Sequence, residues 1–461
     1  MHVIFRESHG LEETDTPTDL GQSPADLVVL SFSDSDLGAF AAGWRRAKRT
    51  HEATADRGGD GGRTSALPSL RLANLAALRH PLSVDTYVAA TLRHAKAVLI
   101  RLIGGESYWA YGLAEVHRAA RKLGIAVAVL PADCREDATL DRHSTLPLAT
   151  LRRLAALCDA GGAPAAEAAL SELAIAAGLM AGPASEGDIA VIADFGWYDP
   201  ELGAVPAPDL ASASSLPAVA VVFYRSYLTS ADTAPIDELI RQLRGNGFNA
   251  IGLFATSLKA PQAGEWLRDA LATLEPALIL NATAFSARGA DGRSPLDVTG
   301  CPVFQVALST SRRDDWAGSE RGLAPTDLAM HVVLPEVDGR IFAGVVSFKS
   351  PSPRDPELQF SRFVHHADTG RIAAVVARVA GWHRLAKTAA GDRRLALMLS
   401  TYPGKAHQLA HAVGLDALAS TEAILGGLAA HGYRVTPGGG IGRALDEART
   451  GKATPSWPLE D

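Results

Sequence analysis

Cysteine is scarce in this sequence: Cys134, Cys158 and Cys301 are odd in number and far apart. With no C-x-x-C pair they frame neither a disulfide scaffold nor a thiolate metal site, and they read as ordinary reduced thiols. Basic charge is equally short. The formal net charge is -7, which argues against a nucleic-acid partner. Ala-rich runs are broken by charges well before the roughly 18 consecutive apolar residues that a membrane helix requires. Residues Met1–Ser8 lack a basic n-region and a long apolar h-region, so a cytoplasmic address is expected. Neither G-x-G-x-x-G nor a Walker Lys-Ser/Thr is present, so Gly104-Gly105 is expected to be a tight strand-to-helix turn rather than a phosphate loop.

What is present is core-forming material, 47% hydrophobic against 21% charged residues, over a chain long enough for two to four domains. Val3–Phe5 and Leu27–Phe32 are expected strands, and the Gly-rich run between Arg49 and Leu67 a surface loop. Strand Ala97–Ile103, a helix with Leu113, Val116, Ala120 and Leu123 inward, stop Gly124 and strand Ile125–Leu130 form one strand–helix–strand unit. Such a crossover pairs its strands in parallel. Residues 148–182 read as Ala-rich helix, and Ile189–Phe195 resumes strand character. The Pro/Ala/Ser-rich stretch Pro206–Pro217 is read as a linker and domain boundary.

From Ala218 the rhythm restarts: strand Val219–Tyr224, a helix from Pro235 with Ile236, Leu239, Ile240 and Leu243 inward, strand Ala250–Phe254, helix Gly264–Leu274, then strands Ala277–Asn281 and Val303–Val306. Proline at a first helical turn and glycine just past the end fit that assignment. The strand ends carry Tyr224, Arg225, Tyr227, Thr256, Ser257, Asn281 and Thr283, placed where open α/β sheets bind ligands. Val332–Leu334 and Ile341–Phe348 are expected to form a hairpin around Asp338-Gly339. A helix Gly370–Lys387 follows, with Ile372, Val375, Val376, Val379 and Trp382 on one face. The expected class is α/β, successive doubly wound parallel-sheet domains at 1–205 and 218–349. A last, incomplete domain occupies 350–461, and the Gly-rich run Pro437–Gly442 and the tail Pro455–Asp461 are expected to be exposed loop.

Residues 394–435 hold the best candidate surface for chemistry. An apolar strand Leu395–Leu399 is followed by a polar loop with Tyr402, Lys405, His407 and His411, then a helix opening near Ser420. His407 and His411 stand at i, i+4, the spacing that puts two imidazoles on one helical face for a shared metal. His365, His366, Glu336 and Asp416 are candidates for a third ligand. Lys405 and Tyr402 are suited to a substrate carboxylate, one as point charge and one as neutral donor. Asp416, ahead of a helix, is expected chiefly to bond backbone N–H groups.

Three stretches together carry a family resemblance: Tyr224-Arg225-Ser226-Tyr227-Leu228; Leu334 through Ile341 leading into Ser347-Phe348-Lys349; and Tyr402-Pro403-Gly404-Lys405 with Val413-Gly414-Leu415-Asp416. In order and spacing they resemble the large subunit of cobaltochelatase (the CobN type), and more distantly that of magnesium chelatase. The resemblance runs over nearly the whole chain. A later family stretch, His-Gly followed by Glu-Trp-Leu-Pro-Gly-Lys, is absent, so the chain looks like the N-terminal part of such a subunit. The resemblance implies a corrinoid substrate, hydrogenobyrinic acid a,c-diamide, a cobalt ion as second substrate, and separate AAA+ type partners that hydrolyse ATP. A lone Walker-free subunit fits that division of labour. The reading from a different class is a non-catalytic tetrapyrrole-binding module built like a periplasmic binding protein.

Overall fold

Leu27-Val-Val-Leu-Ser is buried at every position, the signature of a strand covered on both faces. In the computed structural model, which describes residues 17–56, 67–132, 136–180, 192–207, 216–289, 292–399, 415–435 and 440–449, this segment is β1 (Leu27–Ser31). It lies between β2 (Leu70–Asn74) and β3 (Ala97–Leu102), and β4 (Ala126–Pro131) completes the order β2-β1-β3-β4. All pairs are parallel, with Leu27 opposite both Leu70 and Ala97.

The pleat sends alternate residues to opposite layers. Leu27, Val29, Leu72, Leu99 and Leu130 pack with α1 (Asp34–Asp56) and, through Leu154 and Leu173, with α2 (Leu148–Ala160) and α3 (Gly162–Ala176). Val28, Leu30, Val98 and Ile100 face Val84, Tyr87, Leu113 and Val116, the last two on helix Ala110–Leu123. Each such side chain contributes about 1.5–3 kcal/mol on burial.

The second sheet has the order β12-β11-β10-β9-β7-β8-β5-β6. Its middle is parallel: β7 (Ala218–Tyr224), β8 (Asn249–Ala255), β9 (Leu278–Asn281), β10 (Val303–Leu308) and β11 (Ile341–Pro351). The edges are antiparallel: β5 (Phe195–Asp199) with β6 (Gly203–Val205) on one side, and β12 (Phe363–Ala367) on the other.

The chain separates into two compact units, Met1–Ala377 and Arg378–Asp461. Both sheets lie in the first, and β5 and β6, which precede Pro206–Pro217, belong to the second sheet. The expected boundary therefore marks a stretch inside one unit.

Other expectations need correction. Of the strand expected at 189–195, residues 189–191 lie outside the described residues and the described strand is Phe195–Asp199, and residues 49–56, expected in a loop, are helix as part of α1. No hairpin forms at Val332–Leu334. Residues 325–337 are helical, with Pro325 and Pro335 at first-turn positions, and β11 pairs in parallel with β10. Trp382 is exposed although Ile372, Val375, Val376 and Val379 of helix Thr369–Lys387 are buried. Gly104 and Gly105 have φ of 86° and 79°, values glycine adopts without strain, in the strand-to-helix turn expected of them.

In the second unit, Leu395–Leu399 is not a strand and Met398 is 87% exposed. Asp416 caps the helix Ala417–Ala430 by accepting from the Ala419 N–H at 3.0 Å, and a helix Ile441–Arg449 takes in the last two residues of the run expected to be loop. Among its described residues no extended strand appears. Val3–Phe5 lies outside the described residues.

Candidate functional site

The carboxyl ends of both sheets meet at one hollow. Asp34 and Ser35 open α1 just after β1, Ser230 and Asp232 lie in the connection after β7, Lys349 is near the end of β11, and Arg362 precedes Phe363 and Val364 at the start of β12. Gly38 permits this approach: a Cβ there would lie 2.4 Å from the Arg362 guanidinium and 2.9 Å from the Ser230 carbonyl. The hollow is narrow, about 10 Å³, little more than the room for one water and far below the roughly 300–1,000 Å³ of sites that enclose a whole ligand, so a charged substituent would meet it only at its mouth.

Its charges are balanced and poorly hydrated. Burial pushes the Lys349 ammonium below its ordinary value, opposed by Asp34 and Asp232. Burial likewise raises the Asp232 carboxyl, opposed by Arg362. Arg362 donates to the Ala231 carbonyl at 2.8 Å, and Asp34 accepts from the Asn74 amide at 2.9 Å. Asp232 also accepts from the His365 N–H at 3.1 Å, which ties the hollow to the layer beneath.

That layer contains two of the sequence-predicted residues. Tyr227 is buried, its ring edge-on to His365 at 5.8 Å, and burial raises its phenol well above the ordinary value. His365 Nδ1 hydrogen-bonds with Ser347 Oγ at 3.1 Å. Tyr224 donates its hydroxyl to the Ala284 carbonyl at 2.6 Å, fastening the loop after β9. Arg225 spends its donors on the carbonyls of Ile192, Ala193 and Ala160 at 2.7–3.3 Å. These three residues build the site's frame in this structure.

A second buried group lies beside the ends of β9 and β10. Asp327 accepts from Ser309 Oγ, the Thr310 N–H and Thr310 Oγ1 at 2.8–2.9 Å. One turn on, His331 sits in the π-helical turn Ala329–Val333, with its imidazole pushed below the ordinary value by burial and Asp327 opposing. Its Nδ1 has no hydrogen-bond partner. Such turns recur at functional sites.

Tyr402, Lys405, His407 and His411 lie outside the described residues. Of the proposed third ligands, His365 is bonded as above, His366 and Glu336 are exposed on β12 and the 325–337 stretch, and Asp416 caps its helix. Among the described residues no group of three His, Cys, Asp or Glu is placed to hold a metal ion. Sequence reading gave no role to Lys349, Arg362, Asp232, Asp327 or His331. The available signal was Lys349 closing an apolar strand, since burying an ammonium is costly without a use for it.

Comparisons with known proteins agree with this architecture. The family model described as CobN/Magnesium Chelatase matches residues 172–457. The aerobic cobaltochelatase subunit CobN of Sinorhizobium sp is 35% identical over 449 residues, covering 94% of this chain and 34% of that protein. Its counterpart in Pseudomonas aeruginosa is 31% identical over 454 residues, with the same coverages. The solved catalytic subunit of cobaltochelatase from Mycobacterium tuberculosis superposes with a TM-score of 0.63 at 24% identity, over 92% of this chain and 32% of that one, a likeness of fold. The chain thus spans about a third of the length of these relatives. No helix among the described residues is long and apolar enough to cross a membrane.

Proposed function

Because the chain belongs to the CobN/magnesium chelatase family, we propose that it forms part of the large, tetrapyrrole-binding subunit of an ATP-dependent cobaltochelatase of cobalamin synthesis. The substrate class is a corrinoid with peripheral carboxylates and amides, hydrogenobyrinic acid a,c-diamide, and cobalt is the metal inserted. AAA+ type partner subunits supply ATP hydrolysis.

One observation carries the reading: the carboxyl ends of two α/β sheets converge on a hollow holding two dehydrated cations, Lys349 and Arg362. A ring carboxylate at its mouth replaces part of the hydration these groups lack, and a charge-assisted hydrogen bond orients it. Tyr227, His365 and Ser347 hold the cations' strands in place. Tyr402 and Lys405 are proposed for a further carboxylate, and His407 with His411 for handing over cobalt.

The test uses the subunit at the full length of its relatives, with the ATPase partners, cobalt, ATP and the corrinoid, followed by the absorption change on metallation. Lys349→Met should raise KM for the corrinoid about tenfold, some 1.4 kcal/mol, with a smaller effect on kcat. Double replacement of His407 and His411 by Ala should slow insertion at low cobalt. An absence of turnover by the unaltered complex defeats the reading.

A further inference from the structure

The two cations of the hollow flank one loop. Lys349 is near the end of β11 and Arg362 just ahead of β12. Between them the neck is closed: the Ser352 N–H donates to the Arg362 carbonyl at 2.8 Å, and the Arg362 N–H to Ser352 Oγ at 3.2 Å. Residues 353–361 thus form a loop with joined ends. It leaves the second sheet and fastens to the first. Leu358 is buried in that sheet's core, with Phe360 partly buried beside it. Arg354 donates to the Leu20 and Gly21 carbonyls at 3.0 and 3.2 Å, and the Glu357 carbonyl accepts from the buried Arg71 at 2.8 Å.

Gln359 is the most specific fastening. Its Oε1 accepts from the Ser23 N–H at 2.7 Å, its Nε2 donates to Ser23 Oγ at 2.9 Å, and its carbonyl accepts from Gln22 Nε2 at 3.0 Å. Its φ is 51°, a conformation that a residue with a Cβ keeps only while its surroundings impose it. Release of those bonds relaxes that strain, which brings the fastened and free loops closer in energy. While the loop is fastened, α1 of the first sheet crowds Arg362 at Gly38 and the hollow stays at about 10 Å³.

We propose that residues 353–361 are a latch. Fastened, it holds the carboxyl ends of the two sheets together and shuts Lys349 and Arg362 in; released, it lets those ends part and opens the hollow to a carboxylate-bearing substituent. Arg225, donating to the Ala160 carbonyl at 3.3 Å, and Thr229, against which Gly161 packs, keep the sheets attached while the latch is free. Its role as a gate rests on the reading of the hollow as a carboxylate subsite. Opening itself is measured without ligand, so either can fail while the other stands.

The experiment places spin labels on the 461-residue chain through Lys122→Cys and Asp269→Cys, exposed positions on helices packed against the first and second sheets. Cys134→Ser and Cys301→Ser remove competing thiols, and pulsed electron paramagnetic resonance reads the distance. One narrow distance is expected with the latch intact. Replacing residues 353–361 by an Asn-Gly turn, which suits the antiparallel β11–β12 pair, should lengthen and broaden it. Gln359→Ala should speed hydrogen exchange of the Glu357, Leu358 and Gln359 amides about tenfold, the factor expected for two lost hydrogen bonds, with β1 unchanged. An unaltered distance in the shortened chain, with β1 still protected, overturns the latch. So does exchange of those amides in Gln359→Ala at the unaltered rate.

Discussion

Arg101 shows how a single side chain organises the first sheet's carboxyl end. It is buried, and reaches Asp36 at 3.3 Å and Asp159 at 3.1 Å. Removing one member of such a group strands the others, so Arg101→Met should cost on the order of 3 kcal/mol in urea unfolding; a loss below about 0.5 kcal/mol would contradict it. Cys158 lies in the same surroundings, where burial pushes its thiol up to about 12 with Arg101 opposing. At pH 8 only about one molecule in ten thousand then carries the thiolate that reacts. Iodoacetamide should leave native Cys158 unmodified while labelling it in denaturant, as mass spectrometry of the digested protein would report. The sequence named this thiol as ordinary, but not the carboxylates and guanidinium around it, which come from three separate segments.

At the scale of the element, Asp368 starts the helix Thr369–Lys387. Burial tends to raise its carboxyl, but the Arg371 N–H at 3.1 Å and Arg313 at 2.9 Å outweigh that and hold it below the usual value. A depressed carboxyl stabilises the fold above its unfolded value, and the contribution fades as pH falls through the folded one. Asp368→Asn, which keeps a capping oxygen but drops the charge, should thus lower stability by under about 1 kcal/mol at pH 7 and by less near pH 3, read as the change in Tm at each pH. An equal deficit at both would contradict the assignment.

Elements whose local signals and burial agree were legible. Pro235 opens the helix Ala234–Gly245, and Ile236, Leu239, Ile240 and Leu243 are all buried as spaced. Where the signals disagree, tertiary structure decided. β2 was missed because Arg71 interrupts its apolar pattern; the guanidinium is buried by donating to the carbonyls of Ser23, Leu70 and Glu357. Val332-Val333-Leu334 resembles a strand, yet its backbone continues a helix that Asp327 ties to Ser309 and Thr310.

At the scale of the molecule, the segment between β11 and β12 straps the second sheet to the first. Asp355 pairs with Arg45 at 2.6 Å, Glu357 with Lys48 at 2.5 Å, and Leu358 is buried in the first sheet's core. Leu358→Ala should cost about 2–5 kcal/mol, checked by denaturant unfolding, whereas Glu357→Gln, at an exposed pair, should leave the unfolding midpoint nearly unchanged. Tyr224, Arg225 and Tyr227 follow one another at the carboxyl end of β7, whereas Lys349, Arg362 and His365 reach the same sheet end from distant sequence, and proximity in space leaves no trace in spacing.

Hydrogen–deuterium exchange of this chain with and without a metal-free tetrapyrrole carboxylate tests the central claim most directly. Slowed exchange on binding is predicted at 226–234, 282–287, 327–337 and 349–364, the loops and turns at the joined carboxyl ends. Unchanged exchange there, with the ligand bound or with protection confined to other surfaces, would contradict the claim.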